Sequence, residues 1–159
     1  MFVFSRIILL MGLGAILALS VGGCCSVGIG TCTLIDTIIL DGSAQLNACG
    51  DDHKSHPVIV RFFYLKDTKV FNASSFDEIW EDPMAALGGD LEGAYHDVTL
   101  APGAKETLAL NRPEGATAMA MLINFCDEGD INSRRYIFAL KNKELLKTVN
   151  LQGINFAVK

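Results

Sequence analysis

A chain of 159 residues, half of them apolar, supports one domain with an ample core and leaves no room for a second. Its formal charge of −5, from 18 acidic and 13 basic side chains, speaks against nucleic acid as a partner. Residues 1–23 hold a single charged side chain, Arg6, so the rest carries 12 basic against 18 acidic groups, or −6.

Residues 1–23 stand apart from the remainder of the chain. Arg6 precedes an almost wholly apolar run, Ile7 to Leu19, which ends in Ser20-Val21-Gly22-Gly23. That run is shorter than the roughly 20 residues a membrane-spanning helix needs, and it has the length of a signal-peptide core. Val21-Gly22-Gly23-Cys24 resembles the bacterial lipobox, whose cysteine is thioether-linked to diacylglycerol, becomes the first residue on cleavage and is then N-acylated. An ordinary secretory signal with a chance cysteine, or an N-terminal membrane helix, are the alternatives. The expected organisation is a signal peptide over 1–23, a lipidated Cys24 with a short tether over 24–33, and one folded domain over 34–159. Three acyl chains make an effectively permanent anchor. Cys25 and not aspartate follows Cys24, and by Gram-negative sorting rules that directs the protein to the outer membrane, facing the periplasm. From Cys24 to Leu34 the chain reaches at most about 35 Å, which keeps the domain near the bilayer.

Thr33 to Leu40 is rich in β-branched residues and predicts a first strand, continuing past Asp41-Gly42 to Leu46. Asn47 to Ser55 is a polar loop. Within it Cys49, His53 and His56 stand at C-x3-H-x2-H spacing around Asp51 and Asp52, residue types able to hold zinc or copper. No second half of a metal site appears elsewhere, and a solvated loop with its cysteine in a disulfide is the plainer reading. His56 to Leu65 predicts a strand apolar on both faces, with Val58, Val60, Phe62 and Tyr64 on one and Ile59, Phe63 and Leu65 on the other. Such a strand needs cover on both sides, and Arg61 is the only charge inside it.

The period changes after Phe71. Ser74 or Ser75 caps a short helix carrying Phe76, Ile79 and Trp80 at i, i+3 and i+4, with Asp77 and Glu78 in its first turn, and Pro83 limits it. Met84 to Leu87 predicts a helical turn. Ala94 to Leu100 and Lys105 to Leu110 predict a hairpin through Ala101-Pro102-Gly103-Ala104, placed as a type II turn requires, with His96 on a hairpin face. Ala116 to Cys126 reads as a central strand, Met119, Met121, Ile123 and Phe125 opposite small alanines. Asp127 to Asn132 reads as an acidic turn, and Arg135 to Lys141 as another strand. The hydrophobic phase flips between Leu151 and Ile154, making Gly153 a bulge or strand break. About seven short strands with one or two helices predict a mainly β, two-sheet sandwich.

Four cysteines besides Cys24 would enter an oxidising compartment, with three full pairings open to them. A strand unbroken from Leu34 to Leu46 would span roughly 40 Å and keep Cys32 from Cys49. Cys49 with Cys126 is then the bridge to consider.

The order of signal and lipobox, first strand, polar loop, Pro57-Val-Ile-Val-Arg-Phe-Phe-Tyr-Leu-Lys-Asp67, Phe76-Asp-Glu-Ile-Trp-Glu-Asp82 and Leu100-Ala-Pro-Gly-Ala-Lys-Glu-Thr-Leu-Ala-Leu110 resembles the TssJ (VasD, SciN) family of type VI secretion outer-membrane lipoproteins. The likeness covers most of residues 24–159, and the last third matches mainly in pattern. It implies a transthyretin-like sandwich with an added helix. It also implies a non-catalytic role, tethering the periplasmic domain of the large TssM-type inner-membrane protein to the outer membrane. The family contact loop corresponds here to Asn47, Ala48, Cys49, Gly50, Asp51, Asp52, His53, Lys54 and Ser55, among which Cys49 departs from the family pattern. No nucleophile elbow, phosphate loop or cofactor motif appears, and carboxylates such as Glu78, Glu81 and Asp82 read as helix residues. A lipid-anchored module binding a metal or small ligand is the alternative, and an unrelated structural lipoprotein a third reading.

Overall fold

Alternation along residues 58–65 dictates the layers of the molecule. In the computed structural model, which describes residues 33–51, 53–126 and 134–159, β2 (Val58–Leu65) is buried on both faces. Cys24, the signal segment, most of the tether, Asp52 and the acidic turn after Cys126 lie outside the described residues. Val58, Val60, Phe62 and Tyr64 enter one hydrophobic cluster, while Phe63 and Leu65 enter a second on the other side. Ile59 is the exception, more than a third exposed at the strand's start.

The first cluster is the filling between two four-stranded sheets. One sheet has the order β4 (Lys105–Asn111), β1 (Ile35–Gly42), β7 (Leu146–Gln152), β8 (Asn155–Val158); the other has β3 (His96–Leu100), β2, β5 (Ala118–Asn124), β6 (Arg135–Ala139). Ile38, Leu40, Leu110, Val149 and Leu151 from the first sheet meet Val60, Phe62, Met119, Met121, Ile123 and Phe138 from the second. Each such side chain contributes about 1.5–3 kcal/mol when fully buried. β1 pairs in parallel with β7, and the other neighbours are antiparallel.

The second cluster sits outside the β2–β5 sheet, where the alanines of β5 let helices come close. Ala118, Ala120 and Leu122 lie there against Phe71, Phe76, Ile79 and Leu87. Among the described residues there are three short helices rather than one or two: α1 (Lys69–Ala73), α2 (Phe76–Glu81) and α3 (Pro83–Leu87), followed by a 3-10 turn at Gly88–Asp90. Ser75 is the cap of α2, in a reciprocal box with Glu78, whose carboxylate is held below its ordinary range chiefly by the Ser75 backbone N–H. Asp82 ends α2 and caps α3, with Pro83 in the first position. No helix among the described residues is long and apolar enough to cross a membrane.

Three local expectations change. β1 stops at Gly42 instead of running to Leu46, because the chain turns there, the Leu46 amide donating to the Ser43 oxygen at 3.1 Å. Cys32, which the longer strand was expected to keep from Cys49, lies outside the described residues. The stretch 94–110 is not a hairpin. Its turn forms, with the Ala104 amide donating to the Ala101 oxygen at 3.0 Å and Gly103 at φ 73°, but β3 pairs with β2 while β4 pairs with β1, so the chain changes sheets there. Gly153, at φ 56°, is a break and not a bulge: it turns β7 directly into β8, and the phase flip returns Phe156 and Val158 to the core.

Candidate functional site

The segment between β1 and β2 is organised by one asparagine. Asn47 is 4% exposed and adopts a left-handed conformation at φ 53°, which asparagine tolerates better than most residues. Its side chain spans two strand ends, Nδ2 donating to the Pro57 oxygen at 3.1 Å and Oδ1 accepting from the Cys126 amide at 2.8 Å. Its own amide donates to the Gly153 oxygen at 2.7 Å. Three connections of the sandwich therefore meet at Asn47. Leu46, just before it, is wholly buried in the core and accepts from the His56 amide.

Beyond this base the loop closes on itself. Cys49 and Lys54 form an isolated antiparallel bridge, and the His53 amide donates to the Gly50 oxygen at 3.2 Å across a turn with Gly50 at φ 77° and His53 at φ 47°. Ser55 Oγ donates to the Ala44 oxygen at 2.8 Å. Cys49 is joined to Cys126 as a disulfide with a Cα separation of 6.3 Å, within the usual range for such a bridge. Of the nine loop residues, Asn47 faces inward, Ala48, Cys49 and Ser55 are half-buried, and Gly50, Asp51, His53 and Lys54 make an exposed tip. A residue-type search finds the loop, but Asn47 carries no signal beyond its place at a strand end.

The spacing of Cys49, His53 and His56 does not bring them together. The Cys49 sulfur is taken by Cys126, His53 and His56 are exposed, and among the described residues no three His, Cys, Asp or Glu side chains converge as metal ligands. A shallow cavity of about 360 Å³ lies beside α2 and α3, lined by Ser74, Glu78, Glu81, Asp82, Ala85 and Ala86. Two of its carboxylates are already occupied, Glu78 by Ser75 and Asp82 by the Ala85 amide.

Two polar constructions lie elsewhere. Arg61, beneath the helical layer, sits between the rings of Trp80 and Tyr95, 4.2 and 4.5 Å from their centroids. It makes a forked pair with Asp97 at 2.7 and 2.8 Å and donates to the Trp80 oxygen, and the Asp97 hydrogen bond holds its guanidinium more firmly charged than usual. At the start of β1, Asp36 is fully buried and accepts four bonds. Arg112 Nη2 and the Leu145 amide reach Oδ1 at 2.5 and 2.8 Å, and Arg112 Nε and Tyr64 Oη reach Oδ2 at 2.9 Å each. Burial and then the bond to Asp36 push the Tyr64 phenol upward, so it stays a donor.

The family model of the type VI secretion lipoproteins (VasD, EvfM, TssJ) matches residues 36–156. Comparison with curated proteins gives no match. Among solved structures, the type VI secretion lipoprotein TssJ1 from Pseudomonas aeruginosa superposes with a TM-score of 0.73 at 17% identity, over 80% of this chain and 95% of that one. Serratia marcescens Lip, a membrane-bound component of the type VI secretion system, gives 0.71 at 17% identity, over 80% and 96%. A chain from the structure described as the TssM C-terminal domain (869-1107) from EAEC gives 0.66 at 16% identity, over 79% and 97%. At these identities the likeness establishes the fold, a two-sheet sandwich of the TssJ type.

Proposed function

This chain belongs to the type VI secretion lipoprotein family, and we propose that it is a non-catalytic tether. In this reading Cys24 carries the acyl anchor in the outer membrane, and the loop from Asn47 to Ser55 binds the periplasmic domain of a TssM-type inner-membrane protein. The observation that carries it is the construction of the loop. Its exposed tip is held on a base fixed three ways, by Asn47, by the Cys49–Cys126 bridge and by Ser55. A loop held in one shape before contact loses little conformational freedom on binding, which favours affinity. The loop also stands at the opposite end of β1 from the chain's entry at Thr33, about 24 Å along the strand. That a TssM structure contains a chain of this fold supports a partner of that type.

The metal or small-ligand alternative has less behind it, since Cys49 is engaged and the two histidines stand apart from it. The test is a calorimetric titration of the Ser26–Lys159 fragment against the periplasmic domain of a TssM-type protein encoded in the same genome. Saturable 1:1 binding is expected. Exchanging residues 48–54 for a Gly/Ser loop, with Asn47 and Ser55 kept, should leave the fold intact and abolish the heat of binding. Unchanged affinity in that variant would remove the loop from the contact.

A further inference from the structure

We propose that the end of the sandwich where the chain enters is a docking face for anionic phospholipid headgroups, an inference that rests on the lipid-anchor reading above. The connections at this end are drawn together around Asp36. The Arg112 amide donates to the Leu34 oxygen at 2.8 Å, and its guanidinium donates to the carbonyls of Lys141 and Lys143 at 2.5 and 2.9 Å. Leu146 opens β7 beside Thr37.

The surface so assembled is apolar and basic. Leu146 is 67% exposed, the largest value among the described large hydrophobic side chains, and Ile35 is 44% exposed two residues from the strand pair that Leu146 makes. Lys141 and Lys143 are exposed next to them, Lys147 follows Leu146, and Lys159 pairs through its backbone with Thr148. Glu114 and Glu144 are the acids nearby in the chain, and Asp90 and Glu92 stand at the same end beside Tyr64 and Lys66, Glu92 paired with Lys66. Other cations have carboxylates, Arg61 with Asp97, Lys66 with Glu92, Lys69 with Asp67, Lys105 with Asp41 and Arg112 with Asp36, while Arg134 and Arg135 lie over the rings of Phe76 and Phe71. Among the described residues no ion pair engages Lys141, Lys143, Lys147 or Lys159. In a chain whose acids exceed its bases by six once residues 1–23 are set aside, these four lysines are cations without an acid partner among the described residues.

Exposed aliphatic side chains flanked by lysines suit the boundary between headgroups and acyl chains, and anionic lipid supplies the counter-charge. The tether leads to this same end. Nine residues from Cys24 to Thr33 reach at most about 32 Å, so an acylated Cys24 keeps these lysines continually close to the headgroups. Docking by this end would point the loop at the far end of β1 into the periplasm.

Residues 33–159 form one compact unit containing both hydrophobic clusters, so the Ser26–Lys159 fragment folds by itself. Held by an N-terminal histidine tag on nanodiscs containing nickel-chelating lipid and a headgroup spin label, it can be read by amide line broadening. With phosphatidylglycerol present, amides of 34–36, 112 and 141–147 should broaden selectively while those of 47–55 keep their intensity. The selectivity should vanish in phosphatidylcholine discs, in the K141E/K143E variant, and at 1 M salt, where screening acts within about 3 Å. Uniform broadening, broadening centred on another face, or selectivity that survives charge reversal overturns the proposal. The chelating lipid replaces the acyl chains, so the result is independent of whether Cys24 is modified, and metabolic palmitate labelling tests that separately.

Discussion

Asp36 shows what a single residue can commit a fold to. A carboxylate buried in a sheet sandwich costs several kcal/mol in lost hydration, and only a full set of donors offsets it. Here all four acceptor positions are used, by Arg112, Tyr64 and the Leu145 amide, which ties β1 to β2, to the end of β4 and to the start of β7. Replacing Arg112 with Met should therefore cost about 3–5 kcal/mol, because the carboxylate stays buried without its counter-ion. Tyr64→Phe should cost only about 1 kcal/mol. Urea unfolding checks both, and an Arg112→Met loss no greater than that of Tyr64→Phe would show that Asp36 is satisfied without its arginine. The sequence discloses none of this cluster. Arg61, in the separate pair with Asp97, stands out as a lone charge in an apolar run, but nothing local connects Asp36 with an arginine 76 positions later.

At the scale of elements, patterns that repeat every second residue are readable and pairings are not. β2 and β5 declare their faces through Val58, Val60, Phe62 and through Met119, Met121, Ile123, because burial on a strand follows its pleat. The Ala101-Pro102-Gly103-Ala104 turn is equally plain in sequence, yet the same turn serves a hairpin or a corner between sheets, and only the tertiary partners of β3 and β4 decide which. Helix α1 escapes a reading by pattern since it spans five residues, has no side-chain cap and buries only Phe71. It is held from outside itself, by Arg135 donating to the Phe71 and Ser74 oxygens. The loop from Asn47 to Ser55 is legible as a polar insertion but its internal bracing is not, since Asn47 and Cys126 are 79 residues apart. Cys49→Ser should lower stability by about 2–4 kcal/mol, the usual worth of a bridge closing a long loop. Reduced wild-type protein should then match the variant in guanidinium unfolding. Non-reducing peptide mapping should recover Cys49 linked to Cys126, and free Cys49 thiol in the folded protein would remove the bridge.

For the whole molecule, the decisive expectation concerns a residue outside the described structure. If Cys24 is the acylated residue, Cys24→Ser should give a protein that incorporates no labelled palmitate and leaves the outer-membrane fraction. Continued labelling would move the anchor to Cys25 or end the lipobox reading. In the proposed tether β1 would lie between anchor and partner, since it receives the chain at Ile35 and delivers it at Gly42 toward the loop from Asn47 to Ser55. It is bonded along both edges, through seven register pairs with β4 and six with β7. Tension applied between outer membrane and partner would run along this strand's own axis. A strand pulled lengthwise between two neighbours is loaded in shear, so its bonds must yield together and cannot peel one by one. The Cys49–Cys126 bridge would pass part of the same load sideways into β5, at the centre of the other sheet. A small domain wired in this way is suited to bearing force as well as to binding.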